Sequence, residues 1–222
     1  MSASRPIVRA LVLACTLAPA WPLSAQAPPR AALFGGAMSA RVEILAGGRA
    51  ESMSSPAFLG QGMLSAGRML VELTYVQGRL APGAGAIAGR DLVDGRVFVG
   101  VRPWDWLSIR SGAQARAFVL AGGTRRWVLG ELCGRAESSL PGGVARGHVE
   151  LWVAPLGSSN TGERLDRARG GEAALTLHPP NRPLWAELGY RIDRVQWGGT
   201  RRETLEGVSF TIGVGLPAVP GL

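Results

Sequence analysis

The chain has 222 residues, and its 24 basic residues, all of them arginine, outnumber 16 acidic ones to give a formal net charge of +8. This length suffices for one domain. After the N-terminal segment no run approaches the ~20 uninterrupted apolar residues that a membrane-spanning helix needs, which argues against a helical membrane protein. The basic charge raises nucleic-acid binding as a possibility. However, the arginines are spread along the chain and often stand two residues from Glu or Asp, so no nucleic-acid partner is predicted.

The N-terminal segment has the order of a secretory signal peptide. Arg5 and Arg9 precede an apolar stretch over 10–18, and small residues follow around Ala25 and Ala27. This order predicts export through a cleaved signal over 1–27, which leaves 28–222 as a single domain. Cleavage after Ala25 is an alternative.

The cysteines do not predict a disulfide. Cys15 lies in the predicted signal, so Cys133 is alone in the mature chain. Lipidation of Cys15 is a weaker alternative, because residues 12–15 resemble a lipobox only loosely.

Nine later segments alternate apolar and polar residues, which is the period of a β-strand with one apolar face. They are 39–49, 68–78, 96–102, 107–118, 126–137, 144–154, 172–178, 184–195 and 206–216. Bacterial single-chain barrels have an even number of strands. Either 31–37 therefore supplies a tenth strand, or one early segment does not span and eight remain. The stretches 52–66 and 80–95 are poorly patterned.

The connectors between these segments alternate in character. Compact connectors made of turn-forming residues occur at 103–106, 139–143 and 178–183. Longer connectors occur at 155–171 and 196–205. If the last strand ends in the periplasm, all three compact connectors fall on the periplasmic side, as expected for a membrane barrel with short periplasmic turns and longer outer loops.

One side of the predicted strands carries no charged residue. It comprises Val42, Ile44, Ala46, Met69, Val71, Leu73, Tyr75, Val97, Val99, Val101, Leu107, Ile109, Ala113, Ala115, Ala117, Val128, Leu132, Ala136, Val149, Leu151, Val153, Leu184, Ala186, Leu188, Tyr190, Ile192, Val208, Phe210, Ile212, Val214 and Leu216. A charge at the bilayer midplane of a barrel costs roughly 2 to 4 kcal/mol, so contact with lipid explains this exclusion. A soluble exported β-sandwich, in which the apolar faces of two sheets pack together, is the alternative.

The opposite side carries charges of both signs, including Arg41 and Glu43 near the start of the first segment. In a small barrel such groups fill the lumen as ion pairs, because buried charges persist when they are paired and hydrogen-bonded. The predicted lumen charge network is Arg110, Arg116, Glu131, Arg135, Arg146, His148, Glu150, Glu187, Arg191 and Asp193.

Five tryptophans stand near predicted strand ends, namely Trp104, Trp106, Trp127, Trp185 and Trp197. Amphipathic rings are stable at the depth of lipid headgroups, so these are predicted to be interfacial anchors. Stacking on a ligand is the alternative.

In the layout of its strands, connectors and faces, most of the chain after the signal resembles the small β-barrel proteins of bacterial outer membranes, although no specific motif carries the resemblance. The expectation is an all-β fold, an antiparallel transmembrane β-barrel of about 8 to 10 strands. The resemblance implies residence in the cell outer membrane, insertion by the barrel-assembly machinery, a monomeric state and a structural or surface-interaction role.

Two other activities remain as alternatives. A narrow channel needs a continuous path through the lumen. A lipid-modifying enzyme needs a Ser, His and carboxylate constellation, for which His148, Glu150 and one of Ser108, Ser138, Ser139 or Ser209 are the candidates. No serine lies in a nucleophile motif, so neither an enzyme nor a cofactor is expected. His, Cys and acidic residues match no metal-ligand spacing.

Overall fold

The computed structural model describes residues 30–120, 122–141, 143–179 and 183–216, and it consists of ten β-strands. The strands are β1 (Arg30–Ala46), β2 (Arg49–Ala66), β3 (Met69–Pro82), β4 (Arg90–Trp104), β5 (Leu107–Leu120), β6 (Gly123–Ser139), β7 (Ala145–Ser159), β8 (Leu165–Leu177), β9 (Leu184–Trp197) and β10 (Arg201–Leu216). In these ranges no helix is long and apolar enough to cross a membrane.

Each strand pairs antiparallel with the next, and β10 returns to pair with β1, so the sheet is a closed barrel. The closing ladder runs from Ala31 opposite Leu216 to Leu45 opposite Arg202. Closure leaves no sheet edge with unpaired backbone groups. The predicted antiparallel barrel is confirmed, and the sandwich alternative is wrong because the strands form one closed sheet.

The strand that the sequence pattern missed is β2, which covers the poorly patterned stretch 52–66. Its inward side chains Met53 and Ala57 and its outward Phe58 are all apolar, so the alternation is hidden. The segment 31–37, considered as a tenth strand, is instead the first part of β1.

The two ends of the barrel differ in which connectors they carry. The proximal end holds residues 30 and 216 together with the connectors after β2, β4, β6 and β8, and the distal end holds the connectors after β1, β3, β5, β7 and β9. At the distal end Gly47 and Gly48 make a two-residue hairpin turn with φ of 55° and 77°, a conformation that favours glycine.

The prediction of long outer loops is wrong. Most of 155–171 and 196–205 is strand, so only 160–164 and 198–200 connect the strands there. These two regions misled the pattern because their strands carry polar side chains on the outside near the distal end, as Arg167 and Arg202 show.

The predicted orientation of the faces is correct on β3, where Val71 and Leu73 are exposed, and wrong on β1. In β1 Val42 and Ile44 are buried inside the barrel, while Arg41 and Glu43 are exposed. The reason is a change of surroundings along the strand: towards the distal end the outer surface becomes charged and the interior becomes apolar. The apolar residues of the alternation therefore mark the outer face in the proximal half of the barrel and the inner face in the distal half.

Two apolar clusters fill part of the interior. The distal apolar cluster comprises Met38, Ala40, Val42, Ile44, Met53, Ala57, Leu59, Val76, Leu80, Leu92, Phe118 and Leu205. The aromatic cluster comprises Phe98, Trp127, Leu129, Cys133, Trp152, Ala154, Ala168, Val195 and Trp197. The buried charges lie between these two clusters and on their proximal side.

Candidate functional site: the barrel lumen

The centre of the lumen contains three arginines that share two aspartates. Arg116 donates to Asp94 and to Asp193, in each case with 2.7 Å between Nη2 and the carboxylate oxygen. Arg191 donates to Asp193 at 2.7 Å and to Asp94 at 3.2 Å, and Arg96 donates to Asp193 at 2.9 Å. All five side chains are almost fully buried. Such charges are stable there because each carboxylate accepts several charge-assisted hydrogen bonds.

Glutamates extend this central cluster in two directions. Glu203 accepts from Arg116 at 3.2 Å and from the indole nitrogen of Trp127 at 3.3 Å. Glu131 lies 3.9 Å from the Nε of Arg96, and neither of its carboxylate oxygens has a hydrogen-bond partner among the described residues. Glu131 lies where the β6–β7 register shifts, so it has no direct cross-strand partner on β7.

A second ion-pair cluster lies nearer the proximal end. Arg110 donates to Glu72 at 2.6 Å and also to Glu150. Arg135 joins the same two carboxylates, at 3.3 Å to Glu72 and 2.8 Å to Glu150. Two cations therefore face two anions, and this part of the lumen is close to neutral.

The geometry does not assemble a catalytic triad. Glu150 is committed to the two arginines, and the carboxylate near His148 is Glu172, at 3.4 Å from its Nε2. Ser138 points to the outside of the barrel. In the described ranges no hydrogen bond joins His148 to a serine, and no group of three or more His, Cys, Asp or Glu could hold a metal ion.

The tryptophans divide into two groups. Trp104 and Trp106 are exposed beside the β4–β5 turn and stack with 6.0 Å between ring centroids, a position that suits the predicted interfacial role. Trp127 and Trp197 are buried inside the barrel, so their assignment as interfacial anchors is wrong. Trp185 also faces the lumen, where it stacks on Phe34 at 5.2 Å.

The inward tryptophans pack against arginines instead of lipid. The guanidinium of Arg116 lies 4.8 Å from the ring centroid of Trp127, and that of Arg96 lies 5.1 Å from Trp152. Such cation–π contacts are strengthened where water is excluded. The sequence placed Trp127 and Trp197 at strand ends because β6 and β9 extend further than their alternation indicates.

A vestibule opens at the proximal end. It is a cavity of about 130 Å³, lined by Phe34, Gln61, Gly62, Met63, Glu72, Arg102, Arg135, Glu137, Arg146, His148, Thr176, His178, Trp185 and Glu187. Arg146 is half-exposed and lies 3.6 Å from Glu137, while Glu187 accepts a hydrogen bond from Thr176 at 2.7 Å. At the mouth, partial burial and the nearby Arg146 lower the pKa of His178.

The lumen thus contains every member of the predicted charge network, in three places. Arg116, Glu131, Arg191 and Asp193 belong to the central cluster, Arg110, Arg135 and Glu150 to the second cluster, and Arg146, His148 and Glu187 to the vestibule. The network prediction omitted Arg96 and Glu72, although alternation placed both on the polar side. It also omitted Asp94 and Glu203, which precede the segments where alternation became clear.

No family model matches the chain, and no curated protein matches it. An outer membrane channel from Pseudomonas putida F1 has a TM-score of 0.47 at 9% identity, over 85% of this chain and 96% of that one. The translocator domain of the autotransporter NalP from Neisseria meningitidis has a TM-score of 0.47 at 10% identity, over 85% and 88%. The attachment invasion locus protein Ail of Yersinia pestis has a TM-score of 0.37 at 11% identity, over 86% and 100%.

Proposed function

We propose that the protein is a monomeric outer-membrane β-barrel with a closed lumen and a structural or surface-interaction role. The observation that carries the proposal is the band of exposed apolar side chains on the outer face. Leu73 is 57% exposed, Leu151 68% and Phe210 52%, and similar residues stand beside them on neighbouring strands. A continuous apolar surface of this kind is unfavourable in water and suits hydrocarbon.

The direction of insertion follows from the even number of strands. Residues 30 and 216 lie at the proximal end, so both ends of the barrel chain are on one side of the membrane. A chain exported by the predicted signal over 1–27, a segment outside the described residues, enters the outer membrane from the periplasm. We therefore assign the proximal end to the periplasm and expect the barrel-assembly machinery to act there.

The interior supports a barrel whose lumen is blocked more than it supports a channel. Val42, Leu80, Leu92 and Leu205 of the distal apolar cluster are fully buried. Ions crossing this region would lose their hydration without gaining polar partners. On the proximal side of this cluster, the carboxylates and arginines of the central cluster are hydrogen-bonded to one another.

A narrow channel is the second candidate, and the vestibule favours it. From the proximal mouth, a further small cavity of about 20 Å³ continues to Glu72, Arg96 and Arg191. Conduction would require the distal apolar cluster to move.

Fractionation and conductance test the proposal together. After expression with the signal intact, the protein should remain in the membrane after carbonate extraction and migrate differently on gels with and without boiling. Purified protein inserted in planar bilayers should show no conductance steps, while the same sample keeps the heat-modifiable band. Recovery in the soluble periplasmic fraction would contradict membrane residence, and steady conductance steps would favour the channel.

A further inference from the structure

The outer face carries an arginine cluster near the distal end, on the side of β8, β9 and β10. Its members are Arg167 and Arg169 on β8, Arg194 on β9 and Arg202 on β10, and all four are exposed. None of them forms a salt bridge with another described residue, in contrast to the arginines of the lumen.

The register places two of these arginines against each other. Arg169 and Arg194 are direct cross-strand partners on β8 and β9. Like charges directly opposite in a sheet are destabilising. Between β9 and β10 no acidic side chain stands directly opposite these arginines to offset the repulsion, because Arg194 faces Thr204 and Arg202 faces Gln196.

The cluster lines a cleft of about 710 Å³ on the barrel wall. Arg41 also lines it but is paired with Glu43 at 2.5 Å, and Glu206 contributes a second carboxylate. The cleft thus has five arginines and three glutamates, the third being Glu51, whose carboxylate is bonded to Arg90. The four unpaired guanidinium groups leave the cleft positive.

The position of the cluster relative to the apolar band suggests where its ligand comes from. On β9 the outward residue before Arg194 is Ile192, and on β10 the outward apolar series begins at Val208, two residues after Glu206. On the other side of the barrel the apolar surface continues towards the same end, with Val119 and Val128 exposed. The arginines therefore lie at the depth where hydrocarbon gives way to headgroups.

We propose that this cleft binds the phosphate groups of a phosphorylated lipid in the leaflet at the distal end. This inference rests on the proposed membrane residence. A guanidinium group pairs with phosphate through parallel N–H···O bonds, and two phosphates on one headgroup would neutralise the opposed pair Arg169 and Arg194. Basic pockets beside the hydrocarbon are a known means of headgroup recognition.

The test uses the full mature chain in neutral detergent micelles, titrated with lipid A carrying two phosphates or with its dephosphorylated form. Bound lipid is measured by native mass spectrometry. The double variant Arg169→Gln/Arg194→Gln is compared with Arg79→Gln/Arg126→Gln, which removes two outward arginines at the same end of the barrel but outside the cleft.

We expect the wild type and the control variant to retain the phosphorylated lipid, and the cleft variant to bind it at least about tenfold more weakly. The dephosphorylated lipid should bind weakly to all three. Equal binding of both lipids to the wild type, or equal losses in the two variants, would overturn the inference. Boiled and unboiled gels of the same samples show whether the barrel is intact, so a folded barrel without phosphate preference refutes this inference and leaves the proposed function standing.

Discussion

Single side chains in the lumen depend on partners from distant strands. Asp193 on β9 accepts hydrogen bonds from Arg96 on β4 and Arg116 on β5, across the barrel interior. Such bonds fix the position of opposite walls relative to each other. They also make each carboxylate necessary, because an arginine left buried without its anion is costly.

Replacing Asp193 with Asn should lower the free energy of unfolding by about 3 to 5 kcal/mol, since it removes the charge that three arginines share. The measurement is reversible urea unfolding in lipid vesicles followed by tryptophan fluorescence. The control is Asp91→Asn, because the exposed Asp91 is 4.0 Å from the exposed Arg79 and such a pair contributes about 0 to 1 kcal/mol. Similar losses in both variants would show that the central cluster is not a stabilising unit.

The alternation of single residues predicted most of the residues that face the lumen, but not those at its distal end. Arg110, Arg116 and Arg191 were placed inside correctly because the outer face of their strands is mostly apolar over the same stretch. Val42 and Ile44 were placed outside incorrectly because sequence alternation shows that two faces differ, not which one meets lipid. Only the neighbouring strands show that β1 is surrounded by charge near the distal end.

At the scale of strands, each outward face is divided into an apolar part and a polar part. On β3 the outward series runs from Met69, Val71, Leu73 and Tyr75 to Gln77 and Arg79. β8, β9 and β10 show the same division. The proposed membrane residence accounts for it, because lipid and water would then meet different parts of one strand.

The same new charge should therefore have unequal effects along β3. Leu73→Arg should destabilise the barrel by roughly 2 to 4 kcal/mol, and Gln77→Arg by about 0 to 1 kcal/mol. Urea unfolding in vesicles measures both variants, and each adds the same side chain to an exposed position of one strand. Equal effects would mean that the two positions do not differ in their contact with hydrocarbon.

Two double variants, one at the β4–β5 hairpin and one in the lumen, test the two environments of tryptophan. Trp104 and Trp106 are exposed at its turn, whereas Trp127 and Trp197 are buried in the lumen. In vesicles of lipids brominated close to the headgroup, Trp104→Phe/Trp106→Phe should remove most of the lipid-dependent quenching of fluorescence. Trp127→Phe/Trp197→Phe should leave that quenching in place, and its loss in this second variant would contradict the inward orientation.

Elements were predictable where their two faces differed in polarity. Over most of their length β5 and β9 have apolar residues outside and polar ones inside, so their positions agree closely with the predicted segments. β2 was missed because apolar residues occupy both of its faces near Phe58 and Leu59. The connectors were overestimated because polar outward residues were interpreted as loops.

At the scale of the whole molecule, the closure of the sheet and the filling of the interior by side chains act together. The closed sheet satisfies the backbone, which is necessary for any segment that crosses hydrocarbon. The interior is then occupied from the vestibule through two ion-pair clusters to the distal apolar cluster. A barrel filled in this way is suited to stability and to presenting its outer wall and distal turns, and the arginine cleft on that wall contacts lipid in the proposed arrangement.

Membrane residence requires that lipid, and not water or protein, covers the outer face, and spin-label accessibility on β10 measures this directly. Cys133 is buried, so labels can be placed at Phe210→Cys and Glu206→Cys without reaction at the native thiol. In vesicles, the label at position 210 should collide with oxygen dissolved in lipid, and the label at 206 with a water-soluble nickel chelate. Free access of the nickel chelate to position 210 would contradict membrane residence.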